Sequence, residues 1–227
     1  MFINSKLVFI FLAITLLCQV VFCQNPSRAK TPLRLVDQAL FDAAYLGDDK
    51  LAKEALAAGA DPNAKNDTGY TPLIFAADAN QEEIIKLLIK ANANVNAQDD
   101  SGRTSLMVAA INESNKAIKL LLNAQANVNL ADRSGKTALM YAISTGNASG
   151  VKMLLAAKAD VNAKDNFNST PLMYSVDYGE SKILKIILSA KPDINSRDRN
   201  GRTALLRAKE STSPDLAKIL VEAGATP

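Results

Sequence analysis

Short apolar segments alternate with polar turns along most of the chain, and the alternation returns every 33 residues. A threonine opens the segment in five successive places, at Thr71, Thr104, Thr137, Thr170 and Thr203. A leucine follows two residues after each of them, and the same spacing leads back to Leu40 in a degenerate earlier copy. Six units in one register predict an architecture in which each unit stacks on its neighbours alone.

Each unit is predicted to contain a short helix, a loop, a longer helix and an extended loop. In the second unit Thr71 is placed to cap the first helix, and Pro72 stands at the first helical position, where a missing N–H costs nothing. Asn80 tolerates the left-handed backbone that ends a helix, and residues 84–88 begin the apolar stripe of the second helix. The stripe of the first helix has the i, i+3, i+4 spacing, at Leu73, Ala76 and Ala77.

Two recurring segments resemble the signature of the ankyrin repeat family: residues 69–73 (Gly-Tyr-Thr-Pro-Leu) and 158–162 (Lys-Ala-Asp-Val-Asn). The resemblance extends from Leu35 to Pro227. It implies an all-α repeat solenoid of six stacked helix-turn-helix units with β-hairpin loops. Hairpin tips and first helices would line a concave face, and the terminal units would act as caps. At the N-terminal cap we expect polar residues to point outward, namely Asp37, Asp48, Asp49, Lys50 and Lys53.

The chain departs from the family pattern at two positions of the repeat. The chain has no histidine, and the family's histidine is replaced by Ile74, Met107, Met140, Met173 and Leu206. The three methionines could form a thioether ladder that binds Cu(I), or they could react with peroxide as a sacrificial sink. We favour the third interpretation, in which these flexible side chains fill the gap left by histidine. The family's loop glycine is replaced by residues that must adopt positive φ, at Asn92, Gln125, Lys158 and Lys191.

The N-terminal segment has the layout of a secretory signal peptide. An apolar run spans residues 7–22, and polar residues follow at once. We expect cleavage after Cys23, so that residues 1–23 are the signal peptide, 24–34 a linker and 35–227 the repeat domain. An uncleaved membrane anchor and a lipid on Cys23 are the alternatives. The protein is accordingly expected in the periplasm or outside the cell.

Charge and cysteine content narrow the classes of partner. The chain carries 26 basic and 23 acidic residues, and this balance of +3 does not favour nucleic acid. We expect contact with a membrane only through the signal segment before cleavage. Both cysteines, Cys18 and Cys23, belong to that segment, so the mature chain would contain no thiol.

The residue types present predict no catalytic, cofactor or metal site. Without histidine and mature cysteine, the usual nucleophile–base arrangements and zinc sites cannot form. Carboxylate-only chemistry is the remaining alternative, but the recurring aspartates have the pattern of turn capping. They are Asp99, Asp100, Asp132, Asp165 and Asp198. Residues 66–69 and 99–102 carry some residue types of a calcium loop but lack its distal glutamate. We therefore expect no enzyme and no cofactor.

The resemblance places a binding surface on the hairpin tips and on the ends of the first helices. Tyr70, Phe167 and Tyr178 are expected to be exposed aromatics, and the arginines and lysine form a basic strip that suits an acidic partner. The predicted binding residues are Tyr70, Asp78, Arg103, Ile111, Arg133, Lys136, Phe167, Tyr178, Arg199 and Arg202.

Two functions are compatible with this sequence. The first is a monomeric, exported scaffold that binds another protein. Similar small exported ankyrin proteins occur in bacteria, and some are encoded beside catalases and linked to peroxide tolerance, which suggests support of an envelope enzyme. The second is a secreted ankyrin effector that acts on a host protein. The residues do not identify the partner.

Overall fold

The 33-residue repeat folds as a pair of helices in each of the six units. The computed structural model describes residues 33–179, 181–211 and 214–226, and all helices below lie in these ranges. The first helices of the units are α1 (Leu35–Leu46), α3 (Pro72–Asp78), α5 (Ser105–Ile111), α7 (Ala138–Ser144), α9 (Pro171–Asp177) and α11 (Ala204–Glu210). The second helices are α2 (Asp49–Ala57), α4 (Glu82–Lys90), α6 (Asn115–Asn123), α8 (Ala148–Ala156), α10 (Ser181–Ser189) and α12 (Pro214–Glu222).

The recurring threonine begins five of the first helices, as predicted. The Thr71 hydroxyl accepts a hydrogen bond from the backbone N–H of Ile74 at 3.3 Å, and the other four units repeat this bond. It satisfies one of the N–H groups that a helix leaves unpaired at its start. Asn80 follows α3 with a φ of 58°, which is the left-handed geometry expected there.

The helices pack in two layers that run through the whole stack. Each first helix packs on the first helix of the next unit, and each second helix packs on the next second helix. The leucine two residues after each threonine is at most 1% exposed, and so are Met107, Met140 and Met173. The methionines therefore fill the core. Leu206 holds the same place in the sixth unit and is 40% exposed.

The hairpin loops are fixed by a carboxylate or amide at the root of each turn. Asp99 Oδ1 accepts hydrogen bonds from the backbone N–H of Ser101 and of Arg103, each at 2.8 Å. The same pair of bonds recurs in the other hairpins, at Asn66, Asp132, Asp165 and Asp198. These side chains stabilise turns, which supports the structural interpretation over the catalytic or calcium-binding one.

Neighbouring hairpins are joined by backbone hydrogen bonds. The N–H of Arg133 donates to the carbonyl of Ser101, and the N–H of Arg199 donates to that of Phe167, each at 2.9 Å. Isolated β-bridges close two of the hairpins, between Gln98 and Thr104 and between Ala131 and Thr137. Within the described residues, the loops contain no strand longer than these isolated bridges.

A second set of bonds joins the loops that follow the second helices. Asn96 Oδ1 accepts from the N–H of Asn127 at 2.7 Å, and Asn129 Oδ1 accepts from the N–H of Asp160 at 2.8 Å. The same link, over 31 residues, is made by Asn63, Asn162 and Asn195. The recurring asparagine thus connects each unit to the next.

Two predictions concern individual backbone and cap residues. The residues that replace the loop glycine do adopt positive φ, from 55° at Lys191 to 68° at Lys158. The prediction for Asp37 is wrong, because this carboxylate is buried. It accepts hydrogen bonds from the Arg34 guanidinium and from the N–H of Asp61. The hydrogen bond from Arg34, more than any other effect, lowers the pKa of Asp37.

The predicted signal peptide and residues 24–32 of the predicted linker lie outside the described residues, together with Cys18 and Cys23. Among the helices of the described ranges, none combines the length and the apolar character needed to cross a membrane.

The contact between hairpins generates a stability prediction for two glycines with nearly equal φ, Gly135 at 79° and Gly201 at 76°. A Cβ at Gly135 would lie 2.7 Å from the backbone N of Asn166 in the next hairpin, whereas a Cβ at Gly201 would meet nothing within 4 Å. We expect both alanine variants to lose about 1 kcal/mol through the left-handed backbone. Gly135→Ala should lose about 1 kcal/mol more because the hairpins must separate.

Urea denaturation followed by circular dichroism measures the difference between the two variants. Gly201→Ala is the matched control, since it carries the backbone strain without the contact. Equal losses in the two variants would contradict the role of the hairpin contact.

Candidate functional site

A cavity of about 700 Å³ opens between the hairpin tips and the first helices of the fourth to sixth units. Five of the ten predicted binding residues line it: Lys136, Phe167, Tyr178, Arg199 and Arg202. The other lining residues are Asp165, Ser169, Tyr174, Asp177, Asp198, Asn200 and Arg207. The 33-residue register brings these side chains together, because stacking aligns equivalent positions of successive units.

Two of the lining residues, Tyr174 and Arg207, belong to a column of side chains that the sequence analysis did not identify. Tyr141, Tyr174 and Arg207 occupy the same position in α7, α9 and α11, four residues after the capping threonine. Each donates a hydrogen bond to the aspartate nine residues earlier, namely Asp132, Asp165 and Asp198. The 33-residue spacing of polar side chains within apolar helices was the signal that could have found them.

Arg207 holds the hairpin of the sixth unit against the fifth. Its guanidinium donates to Asp198 at 2.6 Å, to the Ser169 hydroxyl at 2.8 Å, and to Asp177. Burial would raise the pKa of Asp198, but hydrogen bonds from the Arg202 and Asn200 N–H groups and from Arg207 lower it to about 2. Burial raises the pKa of Asp177, and Arg207 opposes that rise.

Lys136 lies among aromatic rings. Its ammonium is 5.7 Å from the ring centroid of Tyr141 and 5.6 Å from that of Tyr174, which are cation–π distances. Tyr174 in turn stacks on Tyr178 with centroids 6.2 Å apart and ring planes within 9°. Burial, and then the hydrogen bonds to the aspartates, raise the pKa of the Tyr141 and Tyr174 hydroxyls, so both stay protonated as donors.

The exposed aromatics and the cations complete the cavity. Phe167 is 66% exposed and Tyr178 is 51% exposed, so both rings offer apolar surface to a ligand. Arg199 is exposed at the neighbouring hairpin tip and has no carboxylate partner within the described residues. Arg202, by contrast, forms a salt bridge with Asp198 at 3.1 Å.

The remaining predicted residues lie towards the N-terminal units. Tyr70 is half-buried rather than exposed, and its ring packs edge-on against Phe75. Its hydroxyl accepts a hydrogen bond from Arg103 at 2.9 Å, and Arg103 is also paired with Asp99. The remaining three are Asp78, which is exposed and accepts hydrogen bonds from Asn112, the half-buried Ile111, and the exposed Arg133.

The arrangement offers a ligand aromatic surface and positive charge. The three carboxylates of the cavity are engaged by protein donors, at Asp165, Asp177 and Asp198. In the part of the chain that the structure describes, no group of three or more acidic, histidine or cysteine side chains could hold a metal ion.

Arg207 generates a prediction about stability and pH. Arg207→Met should reduce the free energy of unfolding by about 2 kcal/mol at pH 7, because buried Asp198 loses a charged donor. A pKa of about 2, against an ordinary 3.8, means that the Asp198 charge stabilises the fold above about pH 4. This contribution is lost as the pH falls towards 2, so the deficit of the variant should shrink at pH 3.

Urea denaturation at pH 7 and at pH 3 tests this, with Lys209→Met as the control. Lys209 is an exposed cation on the same helix, so the control removes the same charge without touching Asp198. A deficit that is the same at both pH values would show that Asp198 is not the group affected.

The comparison with known families agrees with the fold. The sequence matches the family described as Ankyrin repeats (3 copies) over residues 40–132, 94–165 and 158–227, which together span residues 40–227. A comparison with curated proteins gives no match. The family match covers most of the chain, and the helix pairs, capping threonines and hairpins repeat in the same register. The chain therefore belongs to the ankyrin repeat family.

Proposed function

We propose that this protein is a binding scaffold that holds another protein on its groove face, defined as the hairpin tips and the ends of the first helices. Ankyrin repeats generally bind proteins and are typically non-catalytic. The observation that carries the proposal is the cavity, where five of the ten predicted binding residues meet, among them the exposed Phe167 and Tyr178. Aromatic and arginine side chains dominate the energetics of protein interfaces.

The proposed location is the periplasm or the space outside the cell, where the protein would act as a monomer. The apolar run and polar exit at residues 7–27 support export. The proposed role is support of an envelope enzyme or protection against oxidative stress, which rests on resemblance to small exported ankyrin proteins. A host protein as the partner would instead favour the effector function.

The groove face generates a binding prediction. We place the photo-crosslinking amino acid benzoylphenylalanine at position 167 and, in a second protein, at position 119 on the outer helix α6. We expect a protein of the native envelope extract to be captured specifically from position 167. Phe167→Ala combined with Tyr178→Ala should then weaken binding of that purified protein at least about a hundredfold, since truncating each interface anchor costs about 2 kcal/mol or more.

The control replaces Lys119 and Lys152 with glutamate on the outer helices α6 and α8, where both side chains are exposed. This variant should keep its affinity. Capture from position 119 alone, with normal binding by the aromatic double variant, would contradict the groove face. Mass spectrometry of the captured protein separates an envelope or peroxide-related enzyme from a host protein.

The predicted signal peptide has its own test. The intact mass of the protein purified from its native host should correspond to a chain that begins at Gln24. A mass that includes residues 1–23 would favour the membrane anchor, and an added lipid mass would favour attachment at Cys23.

A further inference from the structure

We infer that the cavity of the fourth to sixth units binds an acidic peptide segment in which a carboxylate stands next to an aromatic or large aliphatic side chain. The carboxylates would contact Lys136 and Arg199, and the apolar side chain would pack on Phe167 and Tyr178. This inference deepens the proposed function, on which it rests, by giving the chemistry of the partner segment and its place on the groove face.

The negative charges of the cavity are already used within the protein. Asp165 accepts hydrogen bonds from the Tyr174 hydroxyl at 2.9 Å and from two backbone N–H groups. Asp198 is held by Arg202 and Arg207, and Asp177 is held by Arg207. None of these carboxylates is left to neutralise a cation elsewhere in the cavity.

The positive charges of Lys136 and Arg199 are left over. Neither side chain has a carboxylate partner within the described ranges. The rings of Tyr141 and Tyr174 attract the Lys136 ammonium but do not neutralise it. Partial burial between the rings removes water from this ammonium, which strengthens its attraction for an incoming carboxylate. The cavity is therefore complementary to negative charge.

The apolar half of the site is the exposed surface of Phe167 and Tyr178. Phe167 stands at the tip of the fifth hairpin, beside the hairpin that carries Arg199, and the backbone N–H of Arg199 donates to the Phe167 carbonyl. Tyr178 follows α9 and stacks on Tyr174, whose ring contacts Lys136. The two cations therefore line the same cavity as the two exposed aromatics, so a peptide that presents acidic and apolar side chains in adjacent positions satisfies both.

A related pair in the second and third units is already satisfied within the protein. Arg103 lies over Tyr70 in the second and third units, but it is already paired with Asp99. Lys119 and Lys152 on the outer helices are exposed cations without an exposed aromatic beside them. They provide a matched control, because their loss removes the same charge without the aromatic surface.

Protein, rather than nucleic acid, is the partner class that the cavity favours. A phosphate backbone is recognised by accumulated basic charge, whereas this cavity carries three aspartates beside its four cations. Two carboxylates on either side of an apolar group fit two free cations beside two aromatic rings better than a repeating polyanion does. An oligonucleotide is therefore included as a competing probe.

The test uses the uniformly ¹⁵N-labelled chain from Gln24 to Pro227 and synthetic capped peptides. The probe is Gly-Ser-Glu-Phe-Glu-Gly-Ser, and its controls carry lysine in place of both glutamates or alanine in place of phenylalanine. We expect the probe to shift the amide resonances of Lys136, Phe167, Tyr178 and Arg199. The lysine peptide should give no shift, and the alanine peptide should bind about tenfold more weakly.

Variants assign the two halves of the site. Lys136→Met with Arg199→Met should lower the affinity for the glutamate probe at least about tenfold, whereas Lys119→Met with Lys152→Met should leave it unchanged. The amide spectrum of each unbound variant shows whether it keeps the fold. If the first pair perturbs the spectrum, Arg199→Met alone is compared with Arg197→Met, an exposed arginine outside the cavity lining.

Three results would overturn the inference: equal binding of the glutamate and lysine peptides, shifts centred on the outer lysines, or equal shifts with a short oligothymidylate. Capture of a protein partner through position 167 together with any of these results would leave the proposed function standing and the acidic segment wrong. Selective binding of the glutamate probe together with capture from position 119 alone would support the acidic-segment site and contradict the groove face as the protein-binding surface.

Discussion

The hydrogen bonds that join each unit to the next hold the whole structure in register. They run between hairpin tips, as from Arg199 N–H to the Phe167 carbonyl, and between the loops on the other side, as from Asn127 N–H to the Asn96 amide. A unit with one short and one longer helix cannot bury its apolar face alone. The bonds fix where the next unit must lie to cover that face, and every surface side chain inherits its place from them.

This constraint explains why the candidate site forms at the C-terminal half of the stack. All hairpins share the same carboxylate or amide at the root, so their tips are equivalent in backbone. The hairpins differ in whether a side chain of the first helix donates a hydrogen bond to this root carboxylate. Such donors are Tyr141, Tyr174 and Arg207. In the third unit Val108 stands at that position, and Arg103 takes over the pairing with Asp99. Arg103 occupies the position equivalent to Lys136, and it is already paired with a carboxylate, whereas Lys136 is not.

In the sixth unit an arginine, rather than a tyrosine, bonds to the carboxylate at the root of the hairpin. Arg207 replaces the tyrosine of the preceding units and bonds to Asp177 in the fifth unit as well as to Asp198 in its own. A charged donor at this place compensates the burial of Asp198. The N-terminal unit uses a similar device, since buried Asp37 is held by Arg34 and by the backbone of Asp61. The first and sixth units therefore both contain a buried carboxylate with an arginine partner.

The sequence by itself determined the number of units, their register, the capping threonines, the positive-φ loop positions and the burial of the methionine column. All of these follow from local rules repeated every 33 residues.

The tertiary structure decided which polar side chains are free, because pairing depends on contacts between residues far apart in the chain. The repeat predicts exposed tip positions for Tyr70 and Arg103, yet these two side chains contact each other between adjacent units. Asp37 is equally polar and is buried, since one of its donors is the distant N–H of Asp61 and the other is the neighbouring Arg34. Phe167 and Lys136 line one cavity only because the units stack on each other. The positions of the hairpin tips in the sequence do not give this arrangement.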